Sequence, residues 1–249
     1  MQNVFASDWL WAALCLVCHP LLLLAEEKVS EDSKPAYEPT SAYENKEIEG
    51  WRIIVNKRLL REEPETAAAA LKQLEYQLYE IVRRVPEKSV AKLREIPIWL
   101  ELDEPHHPCA VYHPDVGWLR EHGMNPDKAD CVELSNAKRF VTWTREQPMM
   151  VLHELAHGFH DRFMDRGHDN PVIQKAYEQA KEEKLYDKVL SKRSTSERAY
   201  GMNNPAEYFA ESTEAFFGTN DFFPFVVAEL RLHDPRMYDL QKKLWSVKE

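Results

Sequence analysis

The stretch MVLHELAHGFHD, residues 150–161, sets His153 and His157 four apart with Glu154 beside the first. Only a helix makes that spacing chemically useful, because it puts residues i and i+4 about 40° apart in azimuth and about 6 Å apart along the axis. Both imidazoles then face one side and can share a cation. Glu154, turned about 100° from His153, can reach a water on that cation without ligating it. Leu152, Leu155, Ala156, Phe159 and Phe163 form the opposite stripe of a core-facing helix. The chain must therefore pack one flank of this helix and leave the other free for chemistry. A helix that carries histidines by chance is the competing reading. The setting disfavours it, with Pro148 suited to a first helical position and Gly167 to a place just past an end.

A catalytic zinc takes three protein ligands and keeps one position open. A metzincin would carry Gly at 160 and His at 163; this chain has His160 and Phe163, which excludes that arrangement. A later segment, 203–218 (NNPAEYFAESTEAFFG), supplies carboxylates instead. Glu207, Glu211 and Glu214 fall at i, i+4 and i+7 and make one acidic stripe on a helix that Asn204-Pro205 starts and Gly218 stops. Like charges at this spacing repel, so the stripe costs stability unless a cation or a basic group faces it. Glu207 also suits N3 of a capping box on Asn204. If it caps, Glu211 is the ligand one turn later. On the residues alone both remain open.

The combination of HELAH with Tyr200 and the later NPAEYFAE resembles the catalytic domain of anthrax lethal factor and its relatives, zinc endopeptidases of the gluzincin type. The likeness covers roughly 148–218 by motif and includes Asp161 and a tyrosine seven residues before Glu207. It implies a zincin-like α+β fold with one zinc per chain, held by His153, His157 and Glu207. It further implies that Tyr200 stabilises the transition state through its hydroxyl and that Glu211 lies behind the ligands. Glu154 is then the general base acting on a metal-activated water. Glu211 and Asp161 are candidates to orient the imidazoles. Nothing corresponds to a cell-entry module, so toxin delivery does not carry over. A zinc-stabilised binding protein without turnover is the alternative; having both Glu154 and Tyr200 weighs against it, since neither is needed to hold zinc. His160 reads as structural, as do His106, His107 and His113 in a Pro-rich loop.

The rest of the chain reads as α+β: a small mixed sheet, then a helical C-terminal half. Strands are expected at the segment opening on Trp51, at 96–102, at 110–113 and across 131–143, the last as a strand or hairpin. A helix is expected over 63–85 and another from Asn170-Pro171 to about Leu190, followed by a polar, basic loop at 191–198 and two short terminal helices. Because 131–143 directly precedes the histidine helix, it is the candidate edge for binding an extended peptide. Residues 9–25 form a 17-residue apolar run ending at Ala25, with acidic residues following at once. This reads as a signal peptide, or an uncleaved anchor, leading to a secreted or extracytoplasmic protein, although Asp8 and His19-Pro20 are atypical. Residues 26–49 read as an acidic linker before a domain at 50–249. In an oxidising compartment Cys109 and Cys131 would pair. The net charge of −10 argues against nucleic acid or an anionic membrane as partner, and the resemblance implies a protein or peptide substrate.

Overall fold

The computed structural model describes residues 37–247. The expected signal peptide or anchor, with residues 26–36 of the linker, lies outside the described residues. Among them, no helix is long and apolar enough to cross a membrane.

The sheet opens with a hairpin, β1 (Tyr43–Ile48) and β2 (Trp51–Asn56). Its two-residue turn, Glu49-Gly50, has positive φ at both positions (51° and 84°), as a tight hairpin turn requires. β1 lies within the stretch read as linker; its charged residues face solvent and only Tyr43 is buried. A crossover of three helices follows: α1 (Lys57–Glu62), α2 (Pro64–Arg84) and α3 (Glu87–Leu93). α2 matches the expected 63–85 helix and buries Ala67, Ala70, Leu74, Leu78 and Ile81. β3 (Ile98–Leu100) comes next, then β4 (Ala110–Tyr112), α4 (Val116–Glu121) and β5 (Val132–Leu134). The strand order is β1-β2-β3-β5-β4, with β2, β3 and β5 parallel and both outer strands antiparallel.

Alternation sorts the central strands between two faces. Ile53, Ile98 and Val132 are in register, as are Val55, Leu100 and Leu134, and both rows enter the main core. The opposite face carries Ile54, Trp99 and Glu133. Behind it lies a smaller apolar cluster of Tyr43, Ile54, Trp99 and Cys131.

Two expectations fail on this sheet. Residues 131–143 are not an edge: β5 is central, and β4 holds the edge instead. The second half of that stretch is a helix, α5 (Ala137–Trp143), because the Asn136 side chain caps it by accepting from Arg139 N at 2.8 Å. The Cys109–Cys131 disulfide is absent; both thiols are free and buried. Register is the reason. Ser135 N donates to Cys109 O and His113 N donates to Cys131 O, so the cysteines occupy opposite ends of the β4–β5 pairing. Four residues of strand amount to roughly 13 Å, beyond the span of a disulfide.

The helical half comprises α6 (Met150–Phe163), α7 (Pro171–Glu182), a short hairpin of β6 (Val189–Leu190) and β7 (Ser196–Glu197), α8 (Pro205–Phe217), α9 (Val227–His233) and α10 (Pro235–Leu244). α6 starts two residues after Pro148 and stops before Gly167; α7 ends at Glu182 rather than near Leu190. α8 has the expected bounds, with Asn204 capping it and Pro205 in its first turn. The architecture is an α+β domain with a five-stranded mixed sheet and a helical C-terminal half.

Candidate metal centre

α6 packs between α8 and the edge strand β4. Gly158 sets the second contact. A Cβ there would come within 2.7 Å of Ile96 Cδ1 and 2.9 Å of Tyr112 Cε2. Without a side chain the helix lies close enough for Tyr112 N on β4 to donate to Glu154 Oε2 at 2.9 Å. The Tyr112 hydroxyl donates to Asp161 Oδ2 at 2.9 Å, a second tie between the strand and the same helix.

On the other flank α8 brings its acidic stripe to the imidazoles. His153 Nε2 lies 3.0 Å from Glu207 Oε2 and 3.1 Å from His157 Nε2, and the third side, His157 Nε2 to Glu207 Oε2, is 3.3 Å. Donors at about 2.0–2.1 Å around a tetrahedral ion lie about 3.3 Å apart, so these three atoms form the face of a site of that size. Two bare imidazole nitrogens and a carboxylate oxygen this close repel unless a cation lies among them. A proton is the smallest one. Burial by itself would depress His153, but hydrogen bonds to Glu207 and Glu214, with the Glu214 charge, hold its pKa well above the ordinary histidine value. Burial alone would raise Glu207, but its hydrogen bonds to His153 and His157 and their charge hold its carboxyl far below the usual range. This buried His/Glu triad could hold a metal ion.

Glu207 does half of what a capping box requires. Its backbone N–H donates to Asn204 Oδ1 at 2.9 Å, while its carboxylate turns to the two histidines. Glu211 stands farther off, with Oε1 4.0 Å from His153 Nδ1. The carboxylate that fixes His153 is Glu214: its Oε1 lies 2.7 Å from Nδ1 and also accepts from Gln147 Nε2 at 2.9 Å. An imidazole whose second nitrogen is bonded this way has its tautomer and orientation set for ligation through Nε2. The i+7 position of the stripe contained this role, but spacing alone does not tell which carboxylate meets Nδ1. Asp161 bonds Tyr112 instead of a ligand imidazole, so it acts on the strand–helix contact. His160 is fully buried beside Phe209, with neither ring nitrogen bonded, and burial pushes it down to about 3.

Tyr200 precedes α8 in a single helical turn, half exposed, with its hydroxyl 3.4 Å from Glu207 Oε1. Burial raises the Glu154 carboxyl above the ordinary glutamate value, in the direction a base working near neutral pH needs. His153, Glu154, Tyr200 and Glu211 line one cavity of about 350 Å³, together with Pro108, Cys109 and Ala110 at the sheet edge. Compared with protein-family models, curated proteins and solved structures, the chain matches none, so these distances carry the functional reading.

Proposed function

We propose that the chain is a zinc-dependent endopeptidase of the zincin type. The observation that supports it best is the triangle of Nε2, Nε2 and Oε2 atoms with sides of 3.0–3.3 Å, opening beside Glu154 into a cavity bordered by a sheet edge. Held by His153, His157 and Glu207, a zinc ion would supply Lewis-acid polarisation and a water of lowered pKa. The motif likeness to lethal factor-like enzymes over 148–218 points the same way.

The chain's own residues divide the remaining work. Glu154 accepts a proton from the attacking water and returns it to the leaving amine; the Tyr112 N–H on its Oε2 orients the carboxylate. Tyr200, free on its solvent side, donates to the oxyanion as it forms. Glu214 keeps His153 in register. β4 supports a place for the substrate. Cys109 and His113 bond toward β5, so antiparallel alternation turns Ala110 and Tyr112 outward, and Tyr112 N–H is already taken by Glu154. Ala110 is left to pair with an extended peptide across the cavity. An N-terminal signal peptide would deliver the enzyme out of the cytoplasm.

The test is cleavage of a mixed peptide library by zinc-loaded protein, with Tyr200→Phe alongside. The variant should retain zinc and lose kcat more than it raises KM, because the hydroxyl acts on the transition state. Wild type that holds zinc yet cuts nothing across a broad library would favour a metal-stabilised binding protein.

A further inference from the structure

The cavity beside the triad is acidic at its floor. Glu211 and Asp221 both line it. Glu211 is 6% exposed, and its Oε2 is buried with no hydrogen-bond partner. Asp221 Oδ1 and Glu214 Oε2 are in the same condition. Buried carboxylate oxygens without donors are rare because leaving them so is costly. His153 is no remedy, since its Nδ1 is committed to Glu214 at 2.7 Å. That nitrogen, with an oxygen each from Glu211 and Glu214, also forms a group that a metal ion could bridge, so a metal ion is the competing occupant. Lys192, at the cavity wall, donates its Nζ to Arg145 O at 2.8 Å. Among the described residues no Lys or Arg forms an ion pair with Glu211, Glu214 or Asp221.

We propose that Glu211 and Asp221 bind an organic cation, the ammonium or guanidinium group of a substrate that enters through this cavity. Trp143, Met150 and Phe222 supply apolar wall for the methylene stem that carries such a group. A guanidinium offers forked donors to two carboxylates, and an ammonium offers three. The inference rests on the peptidase reading and narrows it to peptides with a basic group close to the scissile bond. That group is either a Lys or Arg side chain or a free α-amino terminus.

Three sets of otherwise matched peptides separate these sources on the zinc-loaded full chain. One has internal Lys or Arg and an acetylated N-terminus, one has norleucine and a free N-terminus, and one has norleucine and an acetylated N-terminus. Binding of n-butylguanidinium is followed by calorimetry in parallel. One of the charged sets should be cut roughly 10- to 100-fold more efficiently than the neutral set, the scale of a hydrogen bond to a charged group. Asp221→Asn should bring that ratio toward one and weaken n-butylguanidinium binding. Should Asp221→Asn fail to fold, the wild-type ratio and wild-type binding decide. Equal cutting of all three sets without n-butylguanidinium binding overturns the inference and leaves the peptidase reading standing. Asp221-dependent n-butylguanidinium binding without cutting of any peptide supports the cation site and removes the peptidase reading. Calcium that binds in an Asp221-dependent way and excludes n-butylguanidinium would also overturn it.

Discussion

Among the described residues, two buried clusters of histidine and carboxylate solve the problem of buried charge differently. Behind the sheet, Lys128 Nζ lies 2.8 Å from Glu101 Oε1 and 3.1 Å from Glu133 Oε2, and Glu133 also bonds His113 Nε2 at 2.8 Å. Tyr43 and Asn56 donate to Glu101, which leaves Glu133 Oε1 as an oxygen of this network without a donor. Between α6 and α8, Glu207, Glu211 and Glu214 meet His153 and His157, and among the described residues no Lys or Arg pairs with them. Two buried glutamates show the difference. Burial works to raise Glu133, yet His113 and Lys128 draw it below the usual carboxylate range. At Glu211 burial and the neighbouring Glu214 act together and hold it well above that range. The first cluster carries its own cation; the second has donors aimed at a common point that could hold one from outside. Residue types alone do not distinguish a structural network from a metal site. The presence or absence of an internal counter-charge does.

The largest effect that would break this contrast is catalytic. Glu154→Gln should keep the fold and the metal while cleavage falls about 10²–10⁴-fold, the usual share of general-base work. Metal content and initial rates on one preparation check it; a variant that cuts as wild type does would remove Glu154 from the chemistry. On the other side of the comparison, Lys128→Met should destabilise the fold by about 3–5 kcal/mol, because it strips the cation from buried Glu101 and Glu133. Denaturant unfolding measures the loss, and metal uptake by the folded variant should persist. A neutral outcome would mean that the sheet network is not held by charge.

Smaller effects sharpen the metal side. Glu214→Gln should weaken zinc by roughly 10- to 100-fold through the orientation of His153, with Glu211→Gln costing less. Competition against a chromophoric chelator ranks the two, and the reverse order would shift the orienting role to Glu211. The mildest test uses pH. His160 is pushed down to about 3 in the folded chain, below its unfolded value near 6.5. The unfolded chain therefore takes up the proton first, and the stability that neutral His160 contributes above about pH 6.5 is lost as pH falls toward 3. The slope is about 1.4 kcal/mol per unit while only the unfolded ring is protonated. His160→Met, unfolded in chelator between pH 7 and 4, should show a shallower loss than wild type.

Much of this was legible in the residues. α2 and α8 announce themselves through helical spacing, a leading Pro and, for α8, an Asn cap. His153 and His157 carry a spacing that only a helix makes useful, whereas the residues alone left Glu207 and Glu211 both open as the third ligand. Sheet order was not legible, because it depends on which strands meet rather than on the pattern within any of them. So 131–143 gave no sign of central β5, and its apolar residues hid the Asn136 cap. β1 escaped notice because its charged residues face solvent, although the Glu-Gly turn was in view. The disulfide expectation failed for the same reason: two cysteines in a chain say nothing of the register that separates them.

The central claim is that α6 and α8 build a site completed by a cation from outside the chain. Metal content by elemental analysis tests it most directly, on protein prepared without chelator and then titrated with zinc, alongside His157→Ala. Wild type should hold one zinc per chain, lose it slowly to chelator and fall in melting temperature when it does, because an ion that binds only the folded state stabilises that state. His157→Ala should hold far less. A wild-type chain that carries no metal, takes none up on titration and melts at the same temperature with or without chelator would contradict the account.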